Sequence, residues 1–449
     1  MAFTSPVIAD VAHCFQEAID SARDLLSELN KDIHSHPEIN FQEHHAHDAV
    51  VEALKKLGFS VTPHAYGIPT SFEAEYGSGG RLVVFNAEYD ALPEIGHACG
   101  HNLIATGSFA GFIAAAAALK SSGKPGRVRL LGTPAEEGGC GKGMLIAKGA
   151  YKDVDACIMA HPSIFYDGYG KEFHGRVFAP HVAVASFTIS FTGKATHAAA
   201  SPWDGVNALD AIVLGYNAVS MMRQQMRPTD RVHGVIMDGG LRSNIIPNHS
   251  SVDYCVRAVT VEALSDLRAR TIECFRAGAV ATGCTMDVVQ HAVYAGLQPN
   301  RQLSKVFAES VEALGIPMTC EVDTKDVIAG GTDQGNVGCV VPVIHPIYGI
   351  EAGEKDFNHT IGFTEASGKA GAFERTLLVG NGLARTAWAM LVDDDIASAV
   401  KKDFDEAVAL RRRTISAEDE LAMITAWDQE AYAKGETPTP TRCACGHLQ

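Results

Sequence analysis

Only three tryptophans occur in 449 residues, and the 11 cysteines include no Cys-x-x-Cys pair. An odd, scattered cysteine set in so long a chain argues against a disulfide framework. It fits a reducing, cytoplasmic setting in which most thiols serve as small buried hydrophobes. Basic residues are also scarce: 37 Lys and Arg stand against 53 Asp and Glu, a formal charge of −16. No basic cluster offsets that balance, so a nucleic-acid partner is excluded. Long hydrophobic runs are missing too. "FIAAAAALK", 112–120, is short and small-sided beside the ~20 residues a membrane helix needs, so no membrane association is expected. The opening stretch lacks the basic-then-apolar order of a secretory leader, and the last three residues are not a peroxisomal address. No repeat on the scale of 20–50 residues is present.

What is there is an ordinary globular composition, 46% hydrophobic and 20% charged, in a chain too long for one core. Helical patterns cover 8–34 and 41–57, the second closed by Gly58. Short β-rich runs follow, then a buried helix from His101 to Lys120 ended by "SSGKPG". "RVRLLGTPAEE" and "VDACIMAHP" read as strands around the short helix "KGMLIAKGA". This alternation predicts an α/β domain on a mostly parallel sheet. From about 182 the order becomes β-α-β-β-α-β, a ferredoxin-like unit. The expected layout is a larger domain over 1–182 and 296–433, an inserted domain over 183–295 and a disordered tail over 434–449. In its second part the larger domain holds a helix at 301–314, a Gly-rich segment at 329–362 and a helix at 364–391.

Potential metal ligands collect directly after predicted strands. "RLVVFN" runs into Glu88, Asp90, His97, Cys99 and His101; "RVRLLGTPA" into Glu136 and Glu137; "VDACIMA" into His161. In parallel α/β sheets the carboxyl ends of the strands face one crevice, so these side chains should converge. Thiolate with imidazole suits zinc or another late first-row metal. Adjacent glutamates in an extended segment face different ways, so one can bind metal while the other holds a water. A second histidine-rich stretch, "DIHSHPEINFQEHHAH", straddles a helix end and a helix start with no strand to aim it; it reads as a turn followed by a solvated helix face. The tail repeats Ala-Cys-Gly-His at 444–447, but Cys445 and His447 have no strand or further ligands beside them, and the copy reads as a chance echo.

The chain resembles the M20 metallopeptidases, specifically the amidohydrolase branch with the aminobenzoyl-glutamate hydrolase-like enzymes. The stretches that carry the resemblance are "IHSHPEINFQE", "EYDALPEIGHACGHNLI", "GTPAEEGGCGKG", "AHP", "FTGKATHAAASPWDGVNALDA", "GGLRSNIIPN", "GGTDQGNVGCVVPVIHP" and "NHTIGFTEASG", in family order from 33 to 368. The resemblance implies that the larger domain is catalytic and the inserted one a lid and dimerisation domain. It implies Cys99, His101, Glu137, His161 and His359 as metal ligands, with His345 the alternative to His359. Glu136 would be the general base and Asp90 an acidic support of the centre. Glu88 stands where many relatives have a ligand histidine, and Cys99 with His101 substitutes for it. His197 would reach a substrate oxyanion from a neighbouring subunit, Asn244 and Arg257 would hold a carboxylate, and Thr332 and Asp333 would line the pocket beside Gly331. Arg257 as a surface charge on a strand, and 331–333 as a plain turn, are the alternatives. The implied cofactor is one or two zinc ions, with manganese or cobalt as substitutes. The implied activity is hydrolysis of a small dipeptide or N-acyl amino acid through a metal-activated water, in a homodimer. Amide formation on the same site, or a non-catalytic metal- or ligand-binding role, are the rival readings.

Overall fold

A computed structural model describes residues 6–165 and 174–426. The strands, in chain order, are β1 (Val61–Pro63), β2 (Phe72–Ser78), β3 (Leu82–Ala87), β4 (Gly126–Gly132), β5 (Ala156–Ile158), β6 (His161–Ile164), β7 (Gly175–Arg176), β8 (Ala183–Thr192), β9 (Arg231–Asp238), β10 (His249–Ala258), β11 (Thr285–Tyr294), β12 (Val343–Ile344) and β13 (Ile347–Ile350). The main sheet has the order β1-β2-β4-β3-β5-β12. Its β4, β3, β5 and β12 run parallel, and β2 and β1 extend one edge antiparallel. All six residues of β3 are buried, as the unbroken run "LVVFNA" requires of a strand covered on both faces.

Helix His101–Ser122 lies against the main sheet and packs along helix Ala370–Val392. It is apolar on every side, which suits a helix enclosed by protein. The two helices touch closely: a Cβ at Gly380 would sit 2.8 Å from the Gly107 carbonyl oxygen. By length and composition this helix could cross a membrane, which corrects the expectation that no such run exists; interleaved Gly, Ser and Thr break up the run in the sequence. Nearly all of it is buried inside the molecule, as in the core helix of a globular domain.

The inserted segment forms its own antiparallel sheet, β11-β8-β10-β9. Helices Ala208–Met222 and Val261–Thr282 pack on each other and on this sheet around Phe187, Phe191, Tyr254 and Phe275. The connections to the larger domain run side by side, with the His181 N–H donating to the Leu297 carbonyl.

Several elements differ from the sequence reading. The helix expected over 8–34 breaks at Asp10–Val11 and again at Ala22, where the backbone leaves the helical region, into Pro6–Ala9, Ala12–Ser21 and Arg23–Ser35. The helix expected over 364–391 begins earlier and divides around Gly368 and Lys369. The Gly-rich segment contains helix Gln334–Val340, β12 and β13, and β13 pairs with β6 and β7 in a small third sheet. Two further helices, Asp394–Arg411 and Ala417–Ile424, follow. Each starts on an N-cap side chain, Asp393 and Ser416, and has an acidic first turn. The duplicate at 444–447 lies outside the described residues.

Candidate metal centre

The three ligand clusters meet beyond the carboxyl ends of β3, β4 and β5. Gly100 makes the first turn possible. Its φ is +76°, and a Cβ there would lie 2.6 Å from a Pro162 ring carbon, so only glycine fits between Cys99 and His101. Two more residues at the site also have positive φ, Ala135 (59°) just before Glu136, and His359 (71°). Such backbone strain in side-chain-bearing residues clusters at working sites.

Cys99 is the hub. Its Sγ lies 3.3 Å from His161 Nε2 and 3.2 Å from His359 Nε2. His359 Nε2 is in turn 3.5 Å from Glu137 Oε1, and His101 Nε2 is 3.7 Å from that same oxygen. Three donor groups result: Cys99 with His101 and His161, Cys99 with Glu137 and His359, and Glu88 with His101 and Glu136. Side chains from four separated segments, 88–101, 136–137, 161 and 359, thus face one small space. His345 is not in these groups; its ring lies tilted beside His161, centroids 5.3 Å apart.

The imidazoles are oriented from behind. His101 Nδ1 donates to Asp90 Oδ1 at 2.9 Å, while Asp90 Oδ2 accepts the Glu137 N–H at 2.9 Å. His161 Nδ1 donates to the Pro162 carbonyl at 2.7 Å. Both patterns leave Nε2 as the ring nitrogen turned into the centre, the arrangement of metal-ligating histidines. Burial, then the neighbouring His101, pushes the His161 ring down to about 3, so it is neutral. Burial pulls the His101 ring down as well, but Asp90 and Cys99 outweigh it and hold the ring well above its usual value. Burial, followed by the charge of Glu88 and Glu137, pushes the Glu136 carboxyl far up. Burial and Glu137 do the same to the Cys99 thiol.

Apart from that of His161, these shifts share the charge of buried acids. Glu88, Asp90, Glu136, Glu137 and Asp333 are each at most 7% exposed, with one fully buried ammonium, Lys142, among them. Burying so many acids without more positive charge is costly. His101 Nε2 and Glu88 Oε2 are also buried without a hydrogen-bond partner. A divalent cation would offset the acids and engage such atoms, and the thiol-imidazole-carboxylate set suits a borderline-soft ion. The residues present fit a metal.

Other expected site residues are placed differently. Asp333 is fully buried and accepts from Lys142 Nζ at 2.5 Å and from the Lys142 N–H at 3.0 Å. Thr332 is buried as well, its Oγ1 accepting the Gln334 N–H. Thr332 braces the start of helix Gln334–Val340, while the Asp333 carboxylate is spent on Lys142 in the first turn of helix Gly141–Ala147. Arg257 is no surface charge. It sits buried on β10, donating to the Ala329 carbonyl at 2.8 Å and toward His233. His197 and Asn244 are exposed on the inserted domain in adjoining loops, joined by the Ala198 N–H donating to the Asn244 carbonyl. Among the described residues neither belongs to the Cys99 groups.

The sequence reading missed Lys142 and Glu43. Lys142 Nζ also donates to Glu88 Oε1 at 2.6 Å; burial works against its charge, but Asp333 and then Glu88 hold it well above the usual lysine value. Glu43, fully buried, accepts the Ala135 N–H at 2.8 Å. A lysine inside the Gly-rich "GGCGKG" was the available signal for the first; nothing in "FQEHH" distinguished the second.

The profile of peptidase family M20/M25/M40 matches residues 84–372. The chain is 42% identical over 402 residues to the Xaa-Arg dipeptidase of Mus musculus, covering 86% of this chain and 90% of the relative. It is 30% identical over 326 residues to one of the subunits of the Escherichia coli p-aminobenzoyl-glutamate hydrolase, covering 69% of this chain and 66% of that subunit. Its fold matches a dinuclear metal-binding M20 peptidase from Bacillus subtilis with a TM-score of 0.60 at 20% identity, over 82% of this chain and 99% of that one.

Proposed function

The chain belongs to peptidase family M20/M25/M40, and we propose that it is a zinc-dependent dipeptidase whose general base is Glu136. It is a metal-dependent hydrolase of amide bonds in dipeptides or N-acyl amino acids. The observation that carries the finer reading is the convergence of Cys99, His101, Glu137, His161 and His359 beside Glu136 in a space otherwise crowded with acids. Two of the donor groups share Cys99, which supports a pair of ions over a single one. The B. subtilis peptidase of the same fold is dinuclear, in line with that reading. A divalent ion, which Cys99, His101, Glu137, His161 and His359 would hold, would supply Lewis acidity for a water and an amide carbonyl.

The chain's own residues do the rest. In this reading Glu136 removes the water proton and returns it to the departing amine. Its carbonyl is held by the Tyr294 hydroxyl at 2.8 Å, which fixes the loop from the side of the inserted domain. Arg257 has five N–H donors, more than its contacts with Ala329, His233 and Cys255 use, and in this reading the rest grip a substrate carboxylate with Asn244. His197 acts on the substrate oxyanion from a second copy. An apolar surface supports that homodimer: edge strand β9 exposes Ile236 and Met237, and helix Ala208–Met222 exposes Leu214, Tyr216 and Met221. Nine free thiols among the described residues support a reducing, cytoplasmic setting.

The test is a screen of dipeptides, including those ending in arginine, and of N-acyl amino acids with zinc-loaded protein, repeated with Glu136→Gln. Expected is turnover of a dipeptide by the wild type and a loss of about 10²–10⁴-fold in the variant with its metal content unchanged. A variant keeping a tenth of the rate would remove Glu136 from the role of base.

A further inference from the structure

The histidine-rich stretch between the first long helices lies outside the centre described above. Of its five histidines, His34 donates to the Thr364 carbonyl, and His47 is buried beside His64. His36 and His45 are different. His36 directly follows helix Arg23–Ser35, His45 sits in the first turn of helix His44–Lys56, and both turn to Asp32. His36 Nδ1 is 3.1 Å from Asp32 Oδ1, and His45 Nε2 is 2.9 Å from Asp32 Oδ2. The two rings are 4.2 Å apart, and one donor atom from each of the three residues lies within 4.8 Å of the others. All three are open to solvent, Asp32 partly and the histidines more so, and an ion could reach them.

We propose that Asp32, His36 and His45 form a second, separate binding site for zinc or a similar late first-row divalent ion. Two imidazoles and one carboxylate are a donor set for such an ion and leave positions for water; magnesium and calcium prefer oxygen-only sets. The three ligands come from the end of one helix and the start of the next, so an ion there staples the two together.

The location gives the staple a consequence. The Glu38 carboxylate caps the second helix by accepting the His45 and Ala46 N–H groups, at 2.9 and 3.0 Å. The Glu38 carbonyl accepts the N–H of Ala91, next to Asp90. Glu43 accepts the N–H of Ala135, next to Glu136. The turn between the helices therefore braces both acidic loops of the metal centre, and an ion at its mouth stiffens that brace without touching substrate.

The experiment uses the full chain carrying Cys99→Ala and His101→Ala, stripped with chelator and titrated with zinc chloride alone. Expected is one zinc per chain by calorimetry, with a rise in Tm that saturates over the same titration. Both should vanish when His36→Gln and His45→Gln are added. No binding in the first protein, or binding that survives the added substitutions, overturns the proposal. Should the first protein fail to fold, zinc-saturated wild type is compared with His36→Gln/His45→Gln by elemental analysis. A drop of one zinc per chain supports the site, and an unchanged content overturns it. Neither arm reads hydrolysis, so the result stands apart from the fate of the catalytic reading.

Discussion

At the metal centre every donor is buried or nearly so, and all come from one larger domain, aimed by strand ends and by carboxylates behind them. On the inserted domain, His197 and Asn244 stand exposed in loops, and the His197 Nδ1 accepts only from the N–H groups of Ala199 and Ala200 in its own turn. The first region carries its instructions within a single chain. The second holds the groups proposed to meet substrate, and among the described residues none of the Cys99 donor groups includes them. On the proposed roles, the contrast makes metal binding and substrate recognition separable. The former should follow folding of one protomer, and the latter should need a second surface.

The largest effect should come from breaking the buried side. Cys99→Ala removes the atom shared by two donor groups, and His101→Ala removes the ring that Asp90 orients. Each should lower the metal content of dialysed protein by the ions of this centre and turnover by about 10³-fold or more, since among the described residues no donor of the inserted domain joins the Cys99 groups. Elemental analysis beside a rate measurement checks this. Full metal retention in both variants would move the centre elsewhere.

How much of this was legible follows from the same contrast. Strand-end geometry is a rule of parallel sheets, so "RLVVFN", "RVRLLG" and "VDACIM", each followed by ligand-type residues, pointed to one crevice before any coordinates. His359 was accessible only through the family resemblance, because it returns from a distant loop with no strand before it. Lys142 was barely legible: inside "GGCGKG" it has the appearance of a solvated loop lysine, and only the placement of Glu88 and Asp333 around it explains its burial. The partners of Asp333 and Thr332 were illegible for a related reason. A Gly-Gly-Thr-Asp turn has the composition of a pocket wall, but long-range packing decides whether its side chains face outward or into a neighbour. The two helices after Asp393 had clear caps in the sequence and went unread.

A smaller effect should come from the exposed side. His197→Ala should cost about 10²–10³-fold in turnover, the typical loss of one oxyanion donor, with metal content unchanged. If His197 serves a neighbour's site, mixing Glu136→Gln with His197→Ala protein should rebuild one complete site in each mixed dimer. After full subunit exchange that gives about a quarter of the wild-type rate. No recovery, with exchange verified, would place His197 in its own chain's chemistry or in packing.

The smallest effect should come from removing the duplicated Ala-Cys-Gly-His. The described chain already supplies thiol, imidazole and carboxylate donors to its centre, so a further Cys-x-His pair has no vacant role to fill. Spacing alone does not make a site, since three or four oriented ligands with supporting contacts are required. The preceding helix is another matter. Asn336 donates to the Ile424 carbonyl at 2.8 Å and also to that of Val293, and buried Glu420 pairs with Arg411 and Arg412. That helix thus joins the inserted and larger domains, and a truncation must spare it. Truncation after Ala433 does so, and should leave metal stoichiometry unchanged and turnover within about twofold of the full chain. Loss of one metal per chain from the folded truncated protein would show that Cys445 and His447 contribute to binding, and the single-domain account of the buried centre would then be incomplete.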